Sequence, residues 1–235
     1  MSLFAIADLH LSYGVDKPMD IFAGWQDYLY RLNKNWITTV KEQDTVVIPG
    51  DISWGIDLEQ AKKDLVYLDQ LPGTKILIKG NHDYWWPTKK KIEEFFEEND
   101  IHNLIMLYHD AFAVEDVAIC GTRSWFYEEG DVESKVYKRE LQRLHMSLES
   151  ASLLQKEEII VFLHYPPIYK EYIYEDFIDL LVQYGVKRCY YGHLHGPSIN
   201  AAFNGEYKGI RFKLISSDSL RFSPLPIINY SRRQV

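Results

Sequence analysis

Long apolar runs and cysteines are scarce in this 235-residue chain, an excess of basic over acidic residues is missing, and each of these closes off a class of protein. No stretch approaches the ~18 apolar residues that a membrane-spanning helix needs. The opening run from Met1 to Asp8 has no basic flank, and its apolar part is too short for a secretory signal, so a cytoplasmic setting is expected. Two cysteines, Cys120 and Cys189, each close a short apolar run. Buried, reduced thiols in strands are expected there. A bridge between them stays open, but nothing demands an oxidising compartment. The formal net charge is −8, with an isoelectric point near 5.5. Such a chain repels nucleic acid and anionic membranes unless a local patch or a metal overrides the field, so neither is the expected partner. The pair Arg232-Arg233 sits in a polar tail and reads as solvated. Internal repeats, low-complexity tracts and linkers are missing too, which favours one domain over residues 1–235.

What is present is an ordinary globular composition, 46% hydrophobic and 26% charged, in a chain long enough to bury a sizeable core. Leu3 to Ala7, Asp44 to Ile48 and Lys75 to Ile78 are short apolar runs of the kind found in fully buried strands. Each ends in a polar loop and is followed by helical spacing: Trp25 to Glu42, Leu58 to Leu71 (stopped by Pro72-Gly73), and Lys89 to Glu98 with Thr88 as N-cap. This is the grammar of βαβ units in a mainly parallel sheet, whose ligands gather at the carboxyl ends of the strands. The middle differs. Ile105 to Tyr108, Ala111 to Glu115 and Val117 to Gly121 read as short strands with tight turns, one at Glu115-Asp116, and antiparallel pairing is expected. Val132 to Gln155 reads as a long charged helix with a break near Ser147 or Ser150. Then Glu158 to Leu163 and Lys187 to Tyr191 restore the strand grammar around the helix Asp176 to Tyr184, and Ile210 to Ser216 is a late strand.

The chemistry-bearing residues fall at the strand ends. Asp8-x-His10 follows the first run and Gly50-Asp51 the second. Gly80-Asn81-His82-Asp83 follows the third, His164 the strand at Glu158, and Gly192-His193-Leu194-His195 the strand at Lys187. Singly, most have bland readings. Gly-Asp is a common turn, and a lone His before Pro-Pro is more often a satisfied loop residue than a ligand. Gly-Asn is also a turn pair, but a turn does not require His and Asp next. In the last block, alternation puts the two histidines on one face of an extended segment. The set weighs more than its parts: five of the eight histidines follow predicted strands, whereas His102, His109 and His145 do not. Imidazole, carboxylate and amide oxygen together suit Zn, Fe or Mn. Seven ligands exceed what one ion takes, which favours two metals.

These five blocks, in this order, resemble the calcineurin-like metallophosphoesterases, and the resemblance spans most of the chain. It implies a four-layer αββα sandwich with two central mixed β-sheets flanked by helices. It implies that Asp8, His10 and His195 hold one metal, that Asn81, His164 and His193 hold the other, and that Asp51 bridges. It implies a phosphoester hydrolase that attacks a small phosphomonoester or phosphodiester with a metal-bridging hydroxide, His82 serving as general acid and Asp83 orienting it. The second block departs from the protein Ser/Thr phosphatase pattern: Gly50-Asp51-Ile52-Ser53-Trp54-Gly55 lacks the Asp-Arg-Gly signature, which disfavours that branch. Trp54, Tyr84, Trp85 and Trp86 either wall the pocket and stack on a substrate or pack the loops onto the core. Arg123 is a candidate phosphate contact. A nuclease of the same superfamily and a non-catalytic scaffold are the rival readings, and the oligomeric state is left open.

Overall fold

Apolar residues fill both faces of most strands, so the chain must cover each sheet twice. The computed structural model, which describes residues 1–125 and 134–229, achieves this with four layers. The first sheet holds β1 (Ser2–Ala5), β2 (Thr45–Pro49), β3 (Thr74–Ile78) and β4 (Leu104–Met106), all parallel, in that spatial order. Helices α1 (Tyr28–Thr39), α2 (Leu58–Gln70) and α3 (Lys89–Glu98) are its crossovers. The second sheet begins with the hairpin β5 (Ala111–Val114) and β6 (Val117–Thr122) and continues with β7 (Glu158–Leu163), parallel to β6. Between β6 and β7 runs α4 (Lys135–Leu153). A two-stranded excursion, β8 (Ile168–Tyr169) and β9 (Tyr172–Ile173), leads into α5 (Glu175–Gln183). Then β10 (Arg188–Tyr191), β11 (Gly205–Tyr207) and β12 (Ile210–Leu214) complete the second sheet, in the order β11-β12-β10-β7-β6-β5. Finally β13 (Leu225–Asn229) returns to the first sheet and pairs antiparallel with β1.

Alternation sorts the side chains into three cores. On β1, Phe4 joins the residues under α1–α3, such as Leu32, Trp36, Leu65 and Phe96, while Leu3 and Ala5 face the other sheet. On β7, Ile160 and Phe162 meet Leu3, Val47 and Ile76 between the sheets, while Val161 and Leu163 pack under Leu144, Leu148 and Phe177 of α4 and α5. The order is helix, sheet, sheet, helix, as the family resemblance implies.

Several local expectations are revised. Leu104–Met106 pairs parallel with β3 rather than in the antiparallel middle, because the α3 crossover returns the chain beside β3. The hairpin itself is antiparallel and turns at Glu115-Asp116. Helix α1 starts at Tyr28 rather than Trp25, because Asp27 takes a left-handed backbone angle, φ 54°. Helix α4 passes Ser147 and Ser150 unbroken. Ser147 is buried and accepts from Gly121 N at 2.9 Å while donating to Asp110 O at 2.7 Å, so its hydroxyl ties helix to sheet. The expected helix start at Val132 and the Arg232-Arg233 tail lie outside the described residues. Cys120 and Cys189 are buried free thiols, which burial pushes up in pKa.

Candidate metal centre

The two sheets meet at their carboxyl edges, and there the loops are laced together. After β1 the chain continues beside the loop that follows β2: Asp8 N donates to Gly50 O at 3.0 Å and His10 N to Asp51 O at 2.9 Å. Ala7 also reaches the second sheet, donating to Ile215 O at 2.8 Å. The amide of His193 donates to both oxygens of Asp8, at 3.0 and 2.9 Å, so the last block is pinned to the first. Close approach demands the glycines. A Cβ on Gly80 would collide with the Asp51 amide and carboxylate, and one on Gly192 with the Asp8 carboxylate.

Two groups of donors converge. Ligand atoms of Asp8, His10 and His195 lie within 4.8 Å of one another, and so do those of Asp51, His164 and His193. Asn81 Oδ1 stands 2.6 Å from His164 Nε2. Asp51 faces both groups, with Oδ2 3.8 Å from His10 Nε2 and 3.6 Å from His164 Nε2. Asp8, His10, Asp51 and His193 all hold left-handed backbone angles, with φ between 46° and 72°. For non-glycine residues such angles cost roughly 1–3 kcal/mol each and persist only where surroundings impose them.

Acceptors opposite the site fix the imidazole tautomers. His164 Nδ1 lies 3.1 Å from Pro49 O, a contact that places the ring proton on Nδ1 and leaves the Nε2 lone pair facing Asn81. His195 Nδ1 lies 3.0 Å from Asp218 Oδ1, so its Nε2 faces His10 Nε2 at 3.4 Å. Lone pairs and carboxylates directed at a common space suit a cation, and the donor chemistry is that of Zn, Fe or Mn. Burial foremost, then the neighbouring imidazoles, hold His10 well below the usual histidine range. Burial does the same to His164 and His193, each lowered to about 3. Burial opposes charge on His195 as well, but Asp8 and Asp218 outweigh it and raise the ring to about 10. Burial, then Asp83 and Asp8, raise Asp51.

His82 stands at the rim, half-buried, its ring centroid 4.6 Å from that of Trp54 and 6.4 Å from that of Tyr84. Its backbone amide donates to Asp51 Oδ1 at 2.8 Å. Trp54 stacks on His10 at 4.7 Å, and Lys17 Nζ lies 4.1 Å from the Trp54 ring centroid. Of the aromatic residues weighed as pocket walls, Trp54 and the exposed Tyr84 occupy the rim, whereas Trp85 and Trp86 are buried. Trp85 is 1% exposed and donates through Nε1 to Asp83 Oδ1 at 2.9 Å, so it cannot stack on a substrate and anchors the loop instead. Asp83 also departs from expectation. Its carboxylate accepts from Ile52 N, Ser53 N, Gly80 N and the Trp85 indole, with none of these donors on the His82 ring. It shapes the loops that carry Asp51 and Asn81 rather than orienting that ring. Arg123 sits beside Glu140, Nη2 to Oε1 3.7 Å, and over the Trp125 ring.

Sequence reasoning missed three residues. Asp218 follows β12 by a few residues, obeying the same strand-end rule as the others. Tyr165 lays its ring 4.0 Å from that of His193. Trp25, read as the start of α1, is buried 5.5 Å from the His195 ring.

The sequence model of the calcineurin-like phosphoesterase family matches residues 1–197. The chain belongs to that family. Metal-dependent phosphoester hydrolysis is the activity this membership carries. No curated protein matches the sequence significantly. Among solved structures, the chain is similar to the protein of unknown function AQ665 from Aquifex aeolicus, at 16% identity and TM-score 0.50, covering 96% of this chain and 95% of that one. It is also similar to the phosphopantetheinyl hydrolase PptH from Mycobacterium tuberculosis, at 15% identity and TM-score 0.52, with 92% and 88% covered. At these identities the likeness speaks for the fold. Among the described residues no helix is long and apolar enough to cross a membrane.

Proposed function

We propose that this family member is a binuclear hydrolase of small phosphomonoesters or phosphodiesters. The observation that carries the reading is the convergence of two donor triads, joined by Asp51, at the edge where the sheets meet. Asp8, His10 and His195 would hold one ion, Asn81, His164 and His193 the other, and Asp51 both. Bound there, two metal ions supply charge neutralisation for the phosphate and activation of a water. The chain's own residues do the rest. Asp218 and the Pro49 carbonyl hold the His195 and His164 rings in the tautomers that leave Nε2 free. The left-handed turns at Asp8 and Asp51 fix the carboxylates before a ligand arrives.

His82 serves as general acid, delivering a proton to the leaving oxygen. Burial first, then Lys17, lower its pKa in the free protein. An anionic phosphoester beside the ring acts in the opposite direction and favours the protonated form. Trp54 and Tyr84 border the space through which a substrate reaches His82, and Lys17 adds a cation to that rim.

Protein loaded with Mn²⁺ should turn over an aryl phosphate or a bis-aryl phosphate. His82→Asn should lower kcat most for the poorest leaving group and least for an activated one, since only the former needs the proton. Inactivity towards both esters with Mn, Fe, Co, Ni and Zn would refute the reading.

A further inference from the structure

Lys79 and Arg123 both lie at the strand edge that builds the metal centre, yet neither belongs to the donor triads. They line a neighbouring cavity of about 180 Å³ together with Arg139, Arg143 and His109. In a chain of net charge −8, four basic side chains around one hollow are out of keeping with the whole. Among the described residues, one carboxylate forms ion pairs with them. Glu140, fully buried, takes Arg143 Nη1 at 2.6 Å and Arg123 Nη2 at 3.7 Å on the same oxygen. Asp110, also nearby, is engaged with Lys89 Nζ at 3.1 Å and Tyr108 N at 2.8 Å. Arg123 Nε is buried with no hydrogen-bond partner among the described residues. A buried donor left unmade is costly, and an anion would satisfy it.

The cavity's size and position narrow the anion. Its volume is roughly ten times the ~15 Å³ that one water needs, so a phosphate group fits. Guanidinium forks and an ammonium are the donors that phosphate oxygens prefer. Lys79 precedes Asn81 by two residues, which keeps their backbones within about 7.6 Å. Arg123 O accepts from Tyr165 N, the residue after His164. The cavity therefore adjoins the Asn81 and His164 side of the metal centre, within reach of a small molecule spanning both.

We propose that this cavity holds a second, unhydrolysed phosphate of the substrate, which makes the substrate class a small bisphosphorylated molecule. The substrate part rests on the phosphoesterase reading; the anion site does not. Two measurements separate them. First, metal-free protein is titrated with inorganic phosphate by calorimetry, alongside Arg139→Gln and Arg143→Lys. Arg139 is exposed and Glu140 keeps both its arginine partners without it, so the first variant should fold. Phosphate should bind the parent and bind each variant at least about ten-fold more weakly, the worth of one charged hydrogen bond. No binding, or equal binding by all three, would overturn the site. Second, Mn²⁺-loaded protein is given diol bisphosphates of two to five carbons and the matching monophosphates. At least one bisphosphate should exceed its monophosphate about ten-fold in kcat/KM, with that ratio reduced in Arg139→Gln. Equal rates within every pair would overturn the substrate class. If neither series is hydrolysed, the phosphoesterase reading fails while the titration still decides the anion site.

Discussion

The two sheets bring their side chains to the shared edge by different means. The first sheet contributes Asp8, His10, Asp51 and Asn81 from loops that are strained and held by buried carboxylates. Asp83 gathers the loops after β2 and β3, and Asp64 accepts Tyr13 N at 2.7 Å and Ser53 Oγ at 2.5 Å. The second sheet contributes His164, His193 and His195, two of whose rings are aimed by an acceptor on the opposite nitrogen. The first sheet's residues are positioned through the backbone; on the second, His164 and His195 are positioned through the tautomer, while His193 is held by its amide on Asp8. Damage to the first should therefore cost folding as well as metal, while damage to the second should weigh more on metal than on folding.

Removing the residue common to both groups should have the largest effect. Asp51→Asn should lower kcat/KM by well over the roughly 10–100-fold typical of an outer-shell partner, because it faces both donor groups. Steady-state kinetics at saturating Mn²⁺ tests this.

The next two substitutions separate the sheets. Asp83→Ala leaves four donors without their acceptor and should cost about 3 kcal/mol in urea unfolding of the metal-free protein. Asp218→Asn loses the ion pair with His195 but keeps an acceptor for a loop amide, so it should cost the metal-free fold less than Asp83→Ala yet weaken metal binding about 10–100-fold. If Asp218→Asn destabilised the metal-free fold as much as Asp83→Ala, the contrast between the sheets would collapse.

A smaller effect sharpens the tautomer argument. Ligation needs a neutral imidazole, and in the metal-free protein His195 titrates at about 10 while His10, His164 and His193 are lowered. Metal uptake at pH 7 should thus release a proton from His195 and none from the other three, and affinity should rise with pH up to about 10. The sign for stability is opposite. A raised histidine pKa stabilises the metal-free fold fully below its unfolded value near 6.5 and ceases to do so as pH rises through about 10. Calorimetry in buffers of different ionisation enthalpy counts the protons, and Asp218→Asn should reduce the release.

How much of this could be read from the chain follows from the range of each interaction. The buried strands were legible because apolar residues on both faces leave continuous runs such as Glu158–Leu163. The strand-end blocks were legible because each ligand adjoins its strand in sequence. The strand β13 escaped notice because Pro224 and Pro226 mark it as a loop; it survives as a strand at the sheet's edge, where a missing amide is tolerated. Asp218 escaped because its partner His195 lies 23 residues away, and nothing local announces the contact. Asp83 was misjudged for the same reason. Its sequence neighbour is His82, but its partners Ile52 and Ser53 are some 30 residues off. The left-handed angles at Asp8, His10 and His193 likewise fall at residues whose amides bond to distant loops, at Gly50, Asp51 and Asp8, rather than to neighbours.

The central claim is a pair of metal ions joined through Asp51, and metal content tests it most directly. Protein stripped of metal, reconstituted with Mn²⁺ and freed of excess should retain two ions per chain, with Asp51→Asn retaining fewer and losing phosphoesterase activity in step. Retention of less than one ion by the parent protein, or an Asp51→Asn variant that keeps both ions and its activity, would contradict the account.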